Sequence, residues 1–198
     1  MKKIFKAILA ISIIGAMALG FAACGGNGGS DAIAVISREE GSGTRGAFVE
    51  LTGVEVDKVD KTVTTAEISS STAVVMQTVA GNKAAIGYIS LGSLDNTVKA
   101  VKVDGVEATA DNVKNGTYPI CRPFNIATKG DLSDAAKDFI AFIQSDEGQQ
   151  VITDKGCVST GSTGAFTSGN PTGTVVVEGS SSVTPVMEKL AEAYMAIN

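Results

Sequence analysis

Apolar strand-like runs alternate with helix-like segments along the chain from residue 33 onward. Short runs rich in β-branched and small apolar residues predict strands at residues 33–37, 85–90 and 174–178, with extended chain at 98–103 and 119–128. Segments with one apolar face, or with helical composition, predict helices at residues 46–52, 72–80, 110–115, 131–144, 146–154 and 184–198. Strands that alternate with helices predict an α/β protein with a largely parallel sheet.

The amino terminus has the pattern of a secretory leader. Lysines within the first six residues precede an apolar run at residues 8–21, and a small-residue motif ending at Cys24 closes it. The run is shorter than the ~20 residues that a membrane-spanning helix needs. We therefore predict a lipoprotein signal over residues 1–23, lipid attachment at Cys24 on the outer face of the cell membrane, and a glycine-rich flexible tether over residues 24–32. An uncleaved anchor and ordinary secretion are the alternatives.

Composition excludes several classes of function. The chain has 198 residues and contains no His and no Trp, and 16 Lys and Arg stand against 21 Asp and Glu. Without His there is no Ser-His-Asp triad, no imidazole base and no His-ligated zinc. The residues give no reason to expect an enzyme, and we expect no metal or cofactor site. The acidic balance and the few aromatic residues argue against nucleic acid as a partner. Cys121 and Cys157 are expected as free thiols, with a disulfide as the alternative.

A glycine-rich polar loop at residues 37–46 joins the first predicted strand to the first predicted helix. Ser42, Gly43 and Thr44 lie where that helix begins, so their N–H groups lack partners within the helix and suit an oxyanion. Arg38 could supply a bidentate fork, which Glu40 would hold in place.

A second hydroxyl-rich loop, residues 179–185, also leads from a strand into a helix and carries Ser181 and Ser182. Plain N-capping by Ser or Thr would explain either loop alone. The serine-rich residues 65–72 could bring another helix N-terminus toward the same cleft, although we expect loop capping there.

Two catalytic interpretations of these loops fail. Gly41, Gly43 and Gly46 satisfy the dinucleotide pattern G-x-G-x-x-G, but four polar residues separate the strand from its first glycine, where the tight turn should follow almost at once. A serine nucleophile at Ser42 or Ser181 lacks both the G-x-S-x-G context and a His to activate it.

Several segments resemble one known family. SREEGSGTRGAF resembles the anion-binding segment of the phosphate-binding proteins that serve ABC-type phosphate importers. AAIGYISLGSL, YPICRPFNIATKG and AKDFIAFIQSDEGQQVITDKGCVS are similar to downstream segments of that family, in the same order. GTVVVEGSSSVTPVMEKLAEAYMAIN is similar to its opening strand, first phosphate loop and first helix. The resemblance covers most of residues 33–198.

The resemblance implies a periplasmic-binding-protein-like (type II) fold with two lobes in a Venus-flytrap arrangement. Residues 33–118 would form the lobe with the first loop, and residues 119–198 part of the second lobe. Phosphate would be held between the lobes without catalysis and without a cofactor, and the partners would be inorganic phosphate, the permease subunits of the importer and, through the lipid, the membrane. The implied phosphate contacts are Arg38, Ser42, Gly43 and Thr44 from one lobe and Ser181 and Ser182 from the other.

The order of the segments differs from that of the family, because the segment that resembles the family's opening closes this chain. This implies a circular permutation, or the leading part of a longer rearranged gene, and an incomplete chain that lacks a Ser and an Asp of the site. A carboxylate that accepts a ligand O–H would favour protonated phosphate over sulfate. Binding of another tetrahedral oxyanion, such as sulfate or molybdate, is therefore an alternative, as is a structural or adhesion remnant without a competent cleft.

Overall fold

The computed structural model describes residues 32–197. Its elements, in chain order, are β1 (Ala34–Arg38), α1 (Gly43–Leu51), β2 (Glu55–Val56), β3 (Val59–Asp60), β4 (Glu67–Ser69), α2 (Thr72–Gly81), β5 (Ala85–Ile86), a 3-10 turn (Leu91–Ser93), α3 (Ala110–Lys114), α4 (Asp134–Gln144), α5 (Asp146–Asp154) and α6 (Thr184–Met195). The mixed α/β class is confirmed. The predicted leader and its lipidation at Cys24 lie outside the described residues.

A parallel three-stranded sheet carries the first half of the described chain. Strand β1 lies at its centre, with β4 on one side and β5 on the other. Arg38 is opposite Ser69 in one pairing, and Ala34 is opposite Ala85 in the other. Because parallel strands need crossover connections, the helices α1 and α2 lie between them in sequence. The carboxyl ends of β1 and β4 therefore meet at one edge of the sheet.

Most of the helices have a Ser or Thr at the N-cap. In each case the side-chain oxygen accepts a hydrogen bond from the N–H three residues later, which satisfies one of the free donors of the first turn. These N-caps are Ser42 for α1, Ser71 for α2, Thr109 for α3, Ser133 for α4 and Ser145 for α5. Helix α6 instead has Pro185 in its first turn. Polar residues thus fix where the helices start.

The main apolar cluster lies between α4, α5 and α6. Phe142 is fully buried at its centre, with Phe139, Ile143, Val186 and Leu190 around it. Helix α5 follows α4 after a single residue, and a Cβ on Gly148 would lie 2.1 Å from the carbonyl oxygen of Phe142. Only glycine permits this close approach between the two helices.

Several predicted strands are shorter than expected or absent. The predicted strand at residues 85–90 is confined to Ala85–Ile86. Residues 119–128, predicted as extended chain, form neither a helix nor a strand. The prediction of a strand at residues 174–178 is wrong for this structure, where no strand in residues 32–197 pairs with that segment and Val176 is 80% exposed. An apolar run becomes a strand only when a neighbour accepts its backbone hydrogen bonds.

The elements fall into a sheet group, up to β5, and a helical group, from α4 onward. The predicted lobe boundary at residue 118 lies in the irregular chain between these groups, and the division into two lobes stays a prediction. Among residues 32–197, no helix has the length and apolar composition to span a bilayer. Cys121 is exposed, Cys157 is half-buried, and both are free thiols.

Candidate functional site

Arg38 is the last residue of β1 and lies at the carboxyl edge of the sheet with only 1% of its surface exposed. The phenol of Tyr88 supports this strand end, since its oxygen accepts the N–H of Arg38 at 3.1 Å and contacts Ser37 Oγ at 2.8 Å. The ring of Tyr88 stacks on Phe48 of α1. Strand β1 therefore delivers a buried cation to a fixed position.

Every nitrogen of the Arg38 guanidinium donates a hydrogen bond. Nε donates to the carbonyl oxygen of Ser69 at 3.1 Å and to Oε2 of Glu39 at 3.0 Å. Nη1 donates to Oγ1 of Thr72 at 3.2 Å. Nη2 donates to Oε1 of Glu39 at 3.0 Å and to Oγ of Ser181 at 2.9 Å. A buried charge is tolerated when it is paired and hydrogen-bonded in this way.

The carboxylate that holds Arg38 is Glu39, and the predicted support by Glu40 is corrected. Glu39 receives the bidentate fork while its side chain is 36% exposed, whereas Glu40 is exposed. The chain turns directly after β1, which brings the adjacent side chain back over the guanidinium. Partial burial acts to raise the pKa of Glu39, but hydrogen bonding and charge from Arg38, together with a backbone hydrogen bond, outweigh it and lower the pKa.

The first loop turns at Gly41, whose φ of +81° is a conformation that favours glycine. Ser42 is buried and caps α1, with its Oγ accepting the N–H of Arg45 at 3.4 Å. Gly43 and Thr44 form the start of the helix, where N–H groups have no acceptor within the helix. The predicted geometry of this loop is thus present.

The second loop contacts the first directly, although more than a hundred residues separate them. Thr44 Oγ1 lies 2.5 Å from Ser182 Oγ and 3.4 Å from Ser180 Oγ. Ser182 is buried, and its carbonyl oxygen accepts a hydrogen bond from Ser90 Oγ at 3.1 Å. Together with the contact between Arg38 and Ser181, this places Arg38, Thr44, Ser181 and Ser182 in one cluster.

Residues 69–72 form a third segment of this cluster, for which the sequence analysis expected loop capping and named a helix N-terminus at the cleft as the alternative; Ser71 does cap α2, and the segment also contacts Arg38. Its Ser69 carbonyl and Thr72 hydroxyl both accept hydrogen bonds from Arg38, and Thr72 Oγ1 also lies 3.1 Å from Ser181 Oγ. The available signal was the hydroxyl run Ser69-Ser70-Ser71-Thr72 ahead of a helix. Only the pairing of β4 with β1 shows that the run ends beside Arg38.

A second arginine stabilises the first loop from outside. Arg45 Nη1 donates to the carbonyl oxygen of Arg38 at 2.8 Å, and its Nε pairs with Asp60 at 2.7 Å. Hydrogen bonds from Thr62, with the smaller contribution of Arg45, hold the pKa of Asp60 near 2 against the opposing effect of burial. Arg45 is thus paired with Asp60, and Arg38, paired with Glu39, is the buried cation of the cluster.

The cluster offers a cation and hydroxyl groups, which together suit an oxyanion. Among residues 32–197, no group of three His, Cys, Asp or Glu side chains could hold a metal ion.

Comparison with known proteins gives the family. Residues 5–147 match the model of the PBP superfamily domain. Phosphate-binding protein PstS 2 of Streptococcus pneumoniae is 48% identical over 205 residues, which cover 98% of this chain and 70% of that protein. The chain belongs to the PstS family. PstS 2 of Streptococcus agalactiae is 46% identical over 208 residues, which cover 100% of this chain and 71% of that protein.

Solved structures confirm the periplasmic-binding-protein-like fold. A phosphate-binding protein of a phosphate ABC transporter from Streptococcus pneumoniae aligns with a TM-score of 0.65 and 51% identity, over 83% of this chain and 66% of that one. A putative phosphate ABC transporter substrate-binding protein from Clostridium perfringens, solved with bound phosphate, aligns with a TM-score of 0.59 and 43% identity, over 65% of this chain and 52% of that one. The chain thus spans about two thirds of the first of these structures.

The streptococcal alignments also bear on the order of segments. Because one alignment runs through 98% of this chain, the pneumococcal relative carries these segments in the same order. The order that the resemblance identifies as permuted is therefore shared with that relative.

Proposed function

We propose that this chain is an extracytoplasmic solute-binding protein that captures inorganic phosphate for an ABC importer and performs no catalysis. One observation carries the proposal: the buried guanidinium of Arg38 lies where two hydroxyl-bearing loops meet. The relatives named phosphate-binding proteins, and the Clostridium perfringens structure with bound phosphate, support the choice of ligand.

The proposed ligand groups come from both loops. Arg38 supplies charge, Ser42 and Thr44 supply hydroxyl and N–H donors, and Gly43 supplies an N–H at the start of α1. Ser181 and Ser182 donate from the second loop. The phosphate oxygens would take over the hydrogen bonds that now join Thr44 to Ser182 and Arg38 to Ser181.

The described contacts favour a tetrahedral oxyanion without choosing one. Arginine, hydroxyl and N–H groups donate equally well to phosphate, sulfate and molybdate oxygens. A carboxylate acceptor for a ligand O–H would make the choice. Another tetrahedral oxyanion is therefore the second candidate ligand.

The proposed location follows from the leader. Secretion followed by lipid attachment at Cys24 would anchor the protein to the outer face of the cell membrane, and the tether at residues 24–32 would let it reach the permease subunits. Mass spectrometry of the membrane-extracted protein tests this, because acylation adds a defined mass to a peptide that begins with Cys24. A mature chain that begins elsewhere would refute the anchor.

Calorimetric titration of phosphate tests the function. The chain would be measured alone and with the part of the pneumococcal relative that it does not span, supplied as a second polypeptide. Binding by the chain alone or by the chain with the added part supports the proposal. Binding only when the added part is present shows that the site needs groups from that part. Absence of phosphate binding in both refutes the proposal and favours a remnant without a competent cleft.

Two further measurements sharpen this titration. The first is the titration of Arg38→Lys, which should bind phosphate more weakly than the wild type. Arg122→Lys is its matched control, because Arg122 is an exposed arginine paired with Glu50. Competition by sulfate, on either side of the second ionisation of phosphate, separates the two candidate ligands. Equal competition at both pH values would indicate a general oxyanion site.

A further inference from the structure

Thr72 lies at the junction of the three segments that form the cluster. It is the first residue of α2, and only 6% of its surface is exposed. Its Oγ1 accepts a hydrogen bond from Arg38 Nη1 at 3.2 Å and lies 3.1 Å from Ser181 Oγ. One hydroxyl thus contacts both the cation of the first loop and a proposed ligand group of the second.

The hydrogens of this arrangement can be counted. A hydroxyl group has one hydrogen and two lone pairs, and a guanidinium only donates. Arg38 donates to the oxygens of both Thr72 and Ser181, and a single hydrogen bond joins the two hydroxyls to each other. One hydroxyl hydrogen of the pair is therefore used between them. The other is left over. When Thr72 donates to Ser181, the hydrogen left over is that of Ser181, and because Arg38 cannot accept it, it is available to an oxyanion.

The segment around Thr72 is held firmly. Ser71 caps α2, Val75 is buried one turn later, and the Ser69 carbonyl accepts a second hydrogen bond from Arg38. These anchors belong to the sheet and the helix, so an incoming anion does not have to displace them.

We propose that Thr72 is a positioning residue of the anion site, which fixes the Arg38 guanidinium and directs the hydroxyl of Ser181 as a donor toward the ligand. This inference rests on the proposed function and adds to it a residue from a third segment. Thr72 acts through Arg38 and Ser181, so it needs no contact with the anion itself.

Titration of phosphate into hydroxyl variants tests the inference. Thr72→Val removes the hydroxyl at nearly constant volume, and we expect phosphate affinity to fall about tenfold, as the loss of a hydrogen bond to a charged group implies. Thr72→Ser keeps the hydroxyl and should restore most of the affinity. Thr78→Val, later on the same helix, is the matched control and should bind like the wild type. Wild-type affinity in Thr72→Val would overturn the proposal.

A double-mutant cycle with Ser181→Ala separates positioning from a general loss of structure. If Thr72 acts through Ser181, the two losses in affinity should be clearly less than additive. Additive losses, or a loss in Thr72→Ser equal to that in Thr72→Val, would overturn the role.

A readout without ligand keeps this inference distinct from the proposed function. The NMR signal of the Arg38 Nη1–H protons should shift and broaden in Thr72→Val and stay in place in Thr72→Ser, because Nη1 loses Thr72 Oγ1 as its acceptor. An unchanged signal would overturn positioning by Thr72. A changed signal in a protein whose wild type binds no phosphate would refute the proposed function alone.

Discussion

Replacement of Arg38 by lysine is the sharpest perturbation of this cluster, because it keeps the charge and removes the fork. Truncation to alanine would instead empty a position that is 1% exposed and would confuse binding with folding. Lysine carries three donors on one atom, whereas the guanidinium spreads five across a plane. The variant therefore tests geometry at constant charge.

The expected effect on stability follows from the acceptors around Arg38. Four groups accept from it: the Glu39 carboxylate, the Ser69 carbonyl, and the hydroxyls of Thr72 and Ser181. A single ammonium can donate to at most three of them, so at least one acceptor loses this hydrogen bond, and the loss costs about 1–3 kcal/mol where that acceptor is buried. The pair with Glu39 adds little, since that carboxylate is partly exposed and screened by solvent. We expect Arg38→Lys to lower the free energy of unfolding by about 1–3 kcal/mol.

The expected effect on binding follows from the donors that the ligand loses. An ammonium that is engaged by three protein acceptors has no donor left for the ligand, so the anion loses at least one charge-assisted hydrogen bond. Such a bond contributes about 1.5–3 kcal/mol, which corresponds to roughly a tenfold to hundredfold loss in phosphate affinity.

Calorimetric titration gives the affinity of Arg38→Lys, and urea unfolding of the same sample gives its stability, with Arg122→Lys as the control for both. The control arginine is exposed and paired at the surface, so its replacement should change neither value appreciably. Wild-type affinity in Arg38→Lys would show that charge alone suffices. The account of the site through the guanidinium fork would then be refuted.

Three further predictions concern stability. Asp60 has a pKa near 2, below its ordinary 3.8, so the stability it contributes is present above pH 3.8 and lost as the pH falls toward 2. Asp60→Asn should therefore make the free energy of unfolding depend less on pH in that window. An unchanged pH profile would contradict this. Gly148→Ala should lower the free energy of unfolding in urea by about 3 kcal/mol or more, because the new methyl group would lie 2.1 Å from the backbone. Gly81→Ala, whose methyl group would point into open space, should be nearly neutral. Equal effects of the two variants would refute the packing argument. Burial and the hydrogen bond to Asp138 raise the pKa of Tyr194 to about 12, so the stability that Tyr194 contributes is present below pH 10 and lost as the pH rises toward 12. Tyr194→Phe should lower the free energy of unfolding by about 1 kcal/mol at neutral pH. A loss near zero would contradict the hydrogen bond.

The accuracy of the sequence predictions follows how local each element is. Helix α5 is found at the predicted residues 146–154, because a serine cap and an apolar face are both written in the sequence. The hairpin of β2 and β3 was missed, since its turn residues Asp57 and Lys58 adopt positive φ without the usual glycine signal. The segment 174–178 has strand composition but no strand, because pairing depends on a neighbour and not on the run itself.

The same distinction applies to the site. Both loops could be predicted, since each is a local pattern of hydroxyls, glycines and a helix start. That Glu39 and not Glu40 pairs with Arg38 could not be predicted, because it depends on the direction in which the chain leaves β1. The role of residues 69–72 depends on the register that sets Arg38 opposite Ser69, and a register is a property of two segments at once.

The contacts between the two loops also bear on how an anion would enter the proposed site. Thr44 and Ser182 now satisfy each other, as do Arg38 and Ser181, so the donors proposed for the ligand are already engaged. An oxyanion must therefore exchange a neutral hydroxyl pair for hydrogen bonds to its own charge, which are shorter and roughly twice as strong. That exchange is favourable only if both loops can turn their donors toward the same point. In the role proposed for Thr72, its contacts with Arg38 and Ser181 would keep the two loops aligned while the bond between Thr44 and Ser182 opens.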